Sequence, residues 1–371
     1  MRRHLRSSSV LTALVIVGLV VGACSTDRES AESDTPAVRE STTTTAAPSS
    51  ADAPPRPSSG CAAPATDEVT SMRVDLTVAG QERWYLLTTP PPTTDPLPLV
   101  VDLHGLMEGA EIHSMMTQFG PMAQREGFVV AFPHGSGDPV RWDADPASSP
   151  NADVEFLDTM IEQLGQDRCI DESRVYATGL SYGAIMSTFL GCERNDTFAA
   201  IAPIDGITIP DGCDLSRPVP MLSSHGTEDP ILLFNGGYGD IGGLVGGGEP
   251  PTATTAPAEA QADLNGPGYP ATVARWAELN GCSGEFSDVD LTDAVVHRVY
   301  DCPTDAAVEF YIVKGGGHSW PSSEFSVAIE SMVGPTTFDI DATELAWRFF
   351  QRFSLPGPAA GSVPDTSATG D

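Results

Sequence analysis

Apolar residues in the middle of the chain gather in short unbroken runs: Leu97 to Leu103, Phe128 to Phe132, Arg174 to Thr178, Phe198 to Ile201, Val219 to Ser223 and Val308 to Val313. Runs of this length without alternation suit strands covered on both faces, as in the interior of a mostly parallel sheet. Stretches with apolar positions at helical spacing separate most of them. Ser114 to Glu126 is one, Asp153 to Leu164 another, with Val154, Leu157, Ile161 and Leu164 on a common face; Thr272 to Leu279 and Asp341 to Phe353 follow. Earlier, Met72 to Val78 and Arg83 to Leu87 flank Ala79-Gly80-Gln81-Glu82, the pattern of a hairpin. This order predicts an α/β fold with a mostly parallel central sheet, helices on both faces and an antiparallel N-terminal hairpin. Residues 235–270, rich in glycine and proline, predict a long irregular excursion.

The ends follow a different pattern. Arg2, Arg3 and Arg6 precede an apolar run from Val10 to Val21, then Gly22-Ala23-Cys24, which predicts an export signal too short for a comfortable membrane span. Small residues before Cys24 resemble a bacterial lipoprotein signal. On that reading residues 1–23 are removed and a lipid on Cys24 holds the protein to the outer leaflet of the membrane; an ordinary signal peptide cut near Ala23 is the alternative. Residues 24–60 are Ser, Thr, Ala, Pro and acidic residues that bury too little to repay ordering, so they predict a disordered tether. Residues 355–371 predict a disordered tail. That leaves 61–354 as one catalytic-domain-sized unit, expected to be a monomer.

Charge and cysteines narrow the partners. With 51 acidic against 19 basic residues the formal charge is −32, a field that repels phosphate and disfavours nucleic acid, leaving neutral substrates favoured. Six cysteines remain beyond Cys24, an even set that in an exported chain predicts disulfides rather than metal ligation. Cys282 and Cys302 close a short loop. Cys169 precedes a strand and Cys192 ends the helix after it, which suggests Cys169–Cys192 and leaves Cys61–Cys213. No phosphate-binding loop or metal cluster is legible, so no cofactor or metal is expected.

The sharpest chemical signal is Gly179-Leu180-Ser181-Tyr182-Gly183 between a strand and a helix. Such a turn strains its central residue and lifts the hydroxyl above the sheet, predicting Ser181 as a nucleophile. A serine hydroxyl needs a base and an orienting carboxylate. Asp229, in His225-Gly226-Thr227-Glu228-Asp229-Pro230, and His318, in Gly315-Gly316-Gly317-His318-Ser319-Trp320-Pro321, each follow a strand, and the order Ser181, Asp229, His318 is that of α/β-hydrolases. Glu228 is the rival carboxylate. Backbone N–H groups of Leu106 and Tyr182 are placed to receive an oxyanion. His104 is assigned to the substrate side as a brace of that loop, His134 to the pocket edge, and Trp142 and Trp320 to an aromatic wall against the substrate.

At these residues the chain resembles the secreted esterase family that includes polyhydroxybutyrate depolymerases, feruloyl esterases and acetylxylan esterases, in its actinobacterial lipoprotein branch. The matching pieces are Asp102-Leu103-His104-Gly105, Arg174 to Ser181, Phe198 to Pro203, His225 to Pro230, Trp276 to Cys282 and Gly315 to Pro321. The resemblance implies an α/β-hydrolase fold, a triad of Ser181, Asp229 and His318, and cofactor-independent cleavage of storage polyester, hydroxycinnamate esters or acetylated sugars. The chain departs from the family at Tyr182 and at Leu106-Met107, which are bulkier than usual there. The expectation is a serine carboxylic-ester hydrolase for feruloyl, acetyl or short hydroxyacyl esters, carbohydrate-linked or oligomeric. The competing readings are a polyhydroxyalkanoate depolymerase, a serine peptidase and a catalytically idle surface-binding protein.

Overall fold

The structure, a computed structural model, describes residues 53–239 and 262–356. The signal peptide, Cys24, most of the expected tether and nearly all of the expected tail lie outside the described residues, as do residues 240–261 of the excursion.

Among the described residues, ten strands form one sheet: β1 (Met72–Val78), β2 (Gln81–Thr88), β3 (Leu97–Leu103), β4 (Val129–Pro133), β5 (Ile170–Leu180), β6 (Ala200–Ile204), β7 (Met221–Gly226), β8 (Phe286–Asp290), β9 (Val295–Tyr300) and β10 (Val308–Val313). Their spatial order is β1-β2-β4-β3-β5-β6-β7-β10-β9-β8. From β4 to β10 every neighbouring pair is parallel, and each outer edge is an antiparallel hairpin. The unbroken apolar runs are these central strands, with β3, β4, β6, β7 and β10 buried along almost every position.

Helices cover both faces, each with a separate core. Against one face lie α3 (Ala152–Asp167), α4 (Tyr182–Glu193) and α5 (Tyr269–Leu279), whose Phe156, Leu157, Phe189 and Trp276 meet Leu99, Val101, Ile201 and Phe310. Against the other lie α1 (Gly109–Thr117), α2 (Phe119–Glu126) and α8 (Ala342–Phe350), whose Phe119, Trp347 and Phe350 meet Val100, Val130, Tyr176 and Leu222. Between β10 and α8 run the short α6 (Glu324–Ala328) and α7 (Glu330–Val333). Asn151 caps α3 and Asp341 caps α8, each accepting from N–H groups of the first turn.

Three expectations are corrected. The helix predicted from Ser114 to Glu126 is two helices, broken at Gln118, whose φ is 58°. Pro121 falls in the first turn of α2, where a missing N–H costs nothing. The ordered domain begins before Cys61: the Ser58 amide donates to the Ile170 carbonyl, and the Arg56 amide to Asp171, at 2.9 Å each. It also runs past residue 354, for Leu355 is buried and its amide donates to the Ser173 carbonyl. The disulfides are Cys61–Cys169, Cys192–Cys213 and Cys282–Cys302, so only the last expected pair is observed. Cys169 lies at the start of β5 and Cys192 at the far end of α4, where a helix running back along an 11-residue strand does not bring them together. Cys169 instead meets the segment docked beside β5.

Candidate active site

β5 ends at Leu180 and α4 begins at Tyr182, which leaves Ser181 to turn the chain at φ 57° and ψ −117°. Positive φ is strained for a residue with a side chain, and such a corner holds its hydroxyl clear of the sheet. The flanking glycines answer to β3. A Cβ on Gly179 would lie 2.3 Å from the Leu103 carbonyl oxygen and one on Gly183 1.9 Å from it. Any side chain at either position would push the elbow off the sheet.

Asp229 follows β7 and is buried, while its rival Glu228 is exposed. One Asp229 oxygen accepts from the amides of Ile231 and Leu232, at 2.8 Å each; the other meets His318 Nδ1 at 2.7 Å. A carboxylate in that setting only accepts, so Nδ1 carries the proton and Nε2 is left as the basic nitrogen. Burial disfavours charge on His318, yet the adjacent Asp229 outweighs it and holds the imidazole above its ordinary value. Burial likewise acts against the Asp229 charge, and His318 with His225 overcomes it, keeping the carboxyl far below the usual range.

Ser181 and His318 open into one cavity of about 440 Å³ that also takes in Leu106, Glu108 and Tyr182. Tyr182 is the first residue of α4, so its amide has no acceptor within the helix. Around Leu106 the neighbouring amides are committed, Gly105 N–H to Glu108 Oε2 at 2.6 Å and Met107 N–H to the Val140 carbonyl at 2.9 Å.

The other residues expected against the substrate sit behind the cavity. His104 is fully buried; its Nε2 accepts from the Gly135 amide, which leaves Nδ1 to donate to the Gly105 carbonyl at 2.7 Å. It is a brace of the loop and makes no wall of the cavity. Burial pulls its pKa down to about 4, so it stays a neutral prop. Trp142 is buried against His104 and donates from Nε1 to the His104 carbonyl, and Trp320 is buried between α1 and α8 with Nε1 on Thr343. Neither forms the expected aromatic wall. His134 stacks on Trp84, away from the cavity.

Three further participants are not evident from residue type. Asp205, at the end of β6, accepts from the amides of Gly226 and Ser319, at 3.1 and 2.8 Å, and so ties the loop of Asp229 to that of His318. His225 Nε2 donates to the Leu232 carbonyl at 2.8 Å and lies 3.2 Å from Asp229. His113, on α1, joins Asp102 and Glu108, at 2.8 and 3.0 Å. A lone carboxylate closing the apolar run Ala200 to Ile204 is the signal that could have flagged Asp205. Among the described residues, Asp205, His225 and Asp229 bring potential metal ligands within 4.8 Å of one another. Apart from His225 Nδ1, their atoms are already engaged in hydrogen bonds that tie the loops together.

A central parallel sheet with a strained serine elbow after β5, a carboxylate after β7 and a histidine after β10 defines an α/β-hydrolase fold. The sequence family described as "Esterase PHB depolymerase" matches residues 83–237. Feruloyl esterase B of Piromyces equi is 28% identical over 267 residues, 70% of this chain and 42% of that protein, so the chain spans less than half of that relative. Putative esterase NocK of Nocardia uniformis subsp. tsuyamanensis is 29% identical over 302 residues, 77% of this chain and 84% of its own. The solved acetyl xylan esterase from Aspergillus awamori superposes with a TM-score of 0.48 at 14% identity, covering 70% of this chain and 98% of that one. In sequence the chain is therefore similar to esterases of the polyhydroxybutyrate-depolymerase and feruloyl type.

Proposed function

We propose that this protein is a serine carboxylic-ester hydrolase that works through an acyl-Ser181 intermediate. The observation that carries the reading is the 2.7 Å contact of His318 with Asp229 on the wall of the cavity that the Ser181 elbow enters. His318 Nε2 takes the Ser181 proton as the hydroxyl oxygen attacks the ester carbonyl, and returns it to the leaving alcohol as the C–O bond breaks. Water then attacks the acyl group by the same route. Asp229 holds the tautomer and stabilises the imidazolium, while the Leu106 and Tyr182 amides receive the negative oxygen.

The cavity is lined chiefly by Ile112, Met116, Ile185, Ile231, Ile329 and Met332. An apolar wall rewards an acyl group with an apolar body, so feruloyl and short hydroxyacyl esters rank above acetyl esters as substrates. A lipid on Cys24, which the leader's resemblance to a bacterial lipoprotein signal implies, would hold the protein at the cell surface. Metabolic labelling with a fatty acid, lost in Cys24→Ser, tests the anchor. For the activity, kcat/KM is compared across p-nitrophenyl acetate, butyrate and 3-hydroxybutyrate, methyl ferulate and peptide p-nitroanilides. Ester turnover without anilide cleavage supports the reading; anilide cleavage alone points to a peptidase, and no turnover of any to an idle binding protein.

A further inference from the structure

Glu108 stands out in the cavity because, among the described residues, the rest of its lining is apolar or neutral apart from His318, with no lysine or arginine. Its carboxylate is not a solvated surface charge. Oε2 accepts the Gly105 amide at 2.6 Å, and Oε1 meets Nδ1 of the fully buried His113 at 3.0 Å. The other nitrogen of His113 faces Asp102 Oδ1 at 2.8 Å, and Asp102 Oδ2 accepts from Thr117. An imidazole between two carboxylates donates from both nitrogens only as the cation. Asp102–His113–Glu108 therefore carries a net negative charge, whose Glu108 end lies beside Ser181: a Cβ on Gly105 would lie 3.0 Å from Glu108 Oε2 and 3.5 Å from Ser181 Cβ.

Resting on the reading of Ser181 as the nucleophile, we infer that Glu108 sets the charge preference of this site, admitting neutral esters and turning away those whose acyl group carries a carboxylate, while its bond to Gly105 positions the oxyanion loop. Beside a carboxylate that is itself largely withdrawn from water, as Glu108 is, like charges repel more strongly than at the open surface. Burial acts against the Glu108 charge, but His113 overcomes it and keeps the carboxyl below its ordinary value. The charge thus persists at any pH at which an ester hydrolase of this kind would work. The chain's formal charge of −32 adds a long-range field of the same sign.

The test compares p-nitrophenyl hexanoate with p-nitrophenyl hydrogen glutarate, of similar length, on wild type, Glu108→Gln, Glu108→Asp and Ser181→Ala, the full-length protein being used throughout. We expect wild type to favour the neutral ester at least ~100-fold in kcat/KM, Glu108→Gln to shrink that ratio at least ~10-fold, and Glu108→Asp, which keeps the charge, to preserve it. Wild-type rates within about threefold of each other would overturn the inference, whether or not Glu108→Gln folds. An unchanged ratio in folded Glu108→Gln would also overturn it. If Ser181→Ala still releases p-nitrophenol, the nucleophile reading fails and takes this one with it; if Ser181→Ala is dead and the ratio is insensitive to residue 108, only the role of Glu108 fails.

Discussion

Each member of the proposed triad sits in a glycine-bearing loop just past a strand, and that is why the sequence displays all of them. Ser181 needs glycines at 179 and 183 because β3 leaves no room for a Cβ, so its motif is a steric requirement that can be read directly. Trp142, Trp320 and His104 were legible only by type. An indole that packs and an indole that lines a cavity are spelled alike, and these are fully buried. Replacing Asp229 by Asn preserves shape but frees His318 to take the wrong tautomer, and kcat is expected to fall roughly 10⁴-fold with little change in KM. The acid limb of kcat/KM reports protonation of His318. Because Asp229 holds that imidazole above its ordinary value of 6.5, activity should fall away at a pH above 6.5 as the medium is acidified, and Asp229→Asn should move the limb downward. A pH–rate profile with an unshifted limb in Asp229→Asn would break the proposed pairing.

Among the elements, the central strands were legible because burial writes apolar runs, and the first hairpin because its two segments flank Ala79-Gly80-Gln81-Glu82. β8 was not. Its residues, Phe286 to Asp290, are all exposed, and it is a strand because β9 pairs with it, not because of any pattern of its own. The break between α1 and α2 was also hidden, since the helical spacing continues through Gln118 while the backbone turns left-handed there. The start of α1 depends on a buried ion cluster that spacing cannot reveal. Burial opposes charge on His113, but Asp102 and Glu108 outweigh it and raise its pKa to about 10. A group whose pKa rises on folding contributes stability that is fully present below its unfolded value near 6.5 and is lost as pH climbs towards 10. The Tm of wild type should therefore decline between pH 7 and 10. His113→Leu, which strands two buried carboxylates, should cost about 3–5 kcal/mol at neutral pH and lack that part of the decline. Thermal melts across the pH series check both, and a pH-independent Tm in wild type would contradict the charged cluster.

At the scale of the molecule the disulfides divide the labour unequally. Cys61–Cys169 closes 108 residues and ties the N-terminal segment to the start of β5, whereas Cys192–Cys213 and Cys282–Cys302 close 21 and 20. In the chain-entropy picture the long closure contributes about 4.7 kcal/mol and each short one about 3. Pairwise Cys→Ala variants should thus lose the most stability at 61 and 169, a ranking that denaturant titration reads directly. Cysteine spacing could not supply the pairing, because it depends on which end of β5 meets which segment. All of the proposed chemistry gathers at the loops beyond the carboxyl ends of β3, β5, β7 and β10, and it reduces to one assertion, that Ser181 is an activated nucleophile. The direct measurement is labelling by a fluorophosphonate followed by mass spectrometry of the modified peptide. A single adduct on Ser181, absent from Ser181→Ala and slowed at least ~1,000-fold in His318→Ala, is the predicted result. A folded wild-type protein left unlabelled, or an adduct on any other residue, would contradict it.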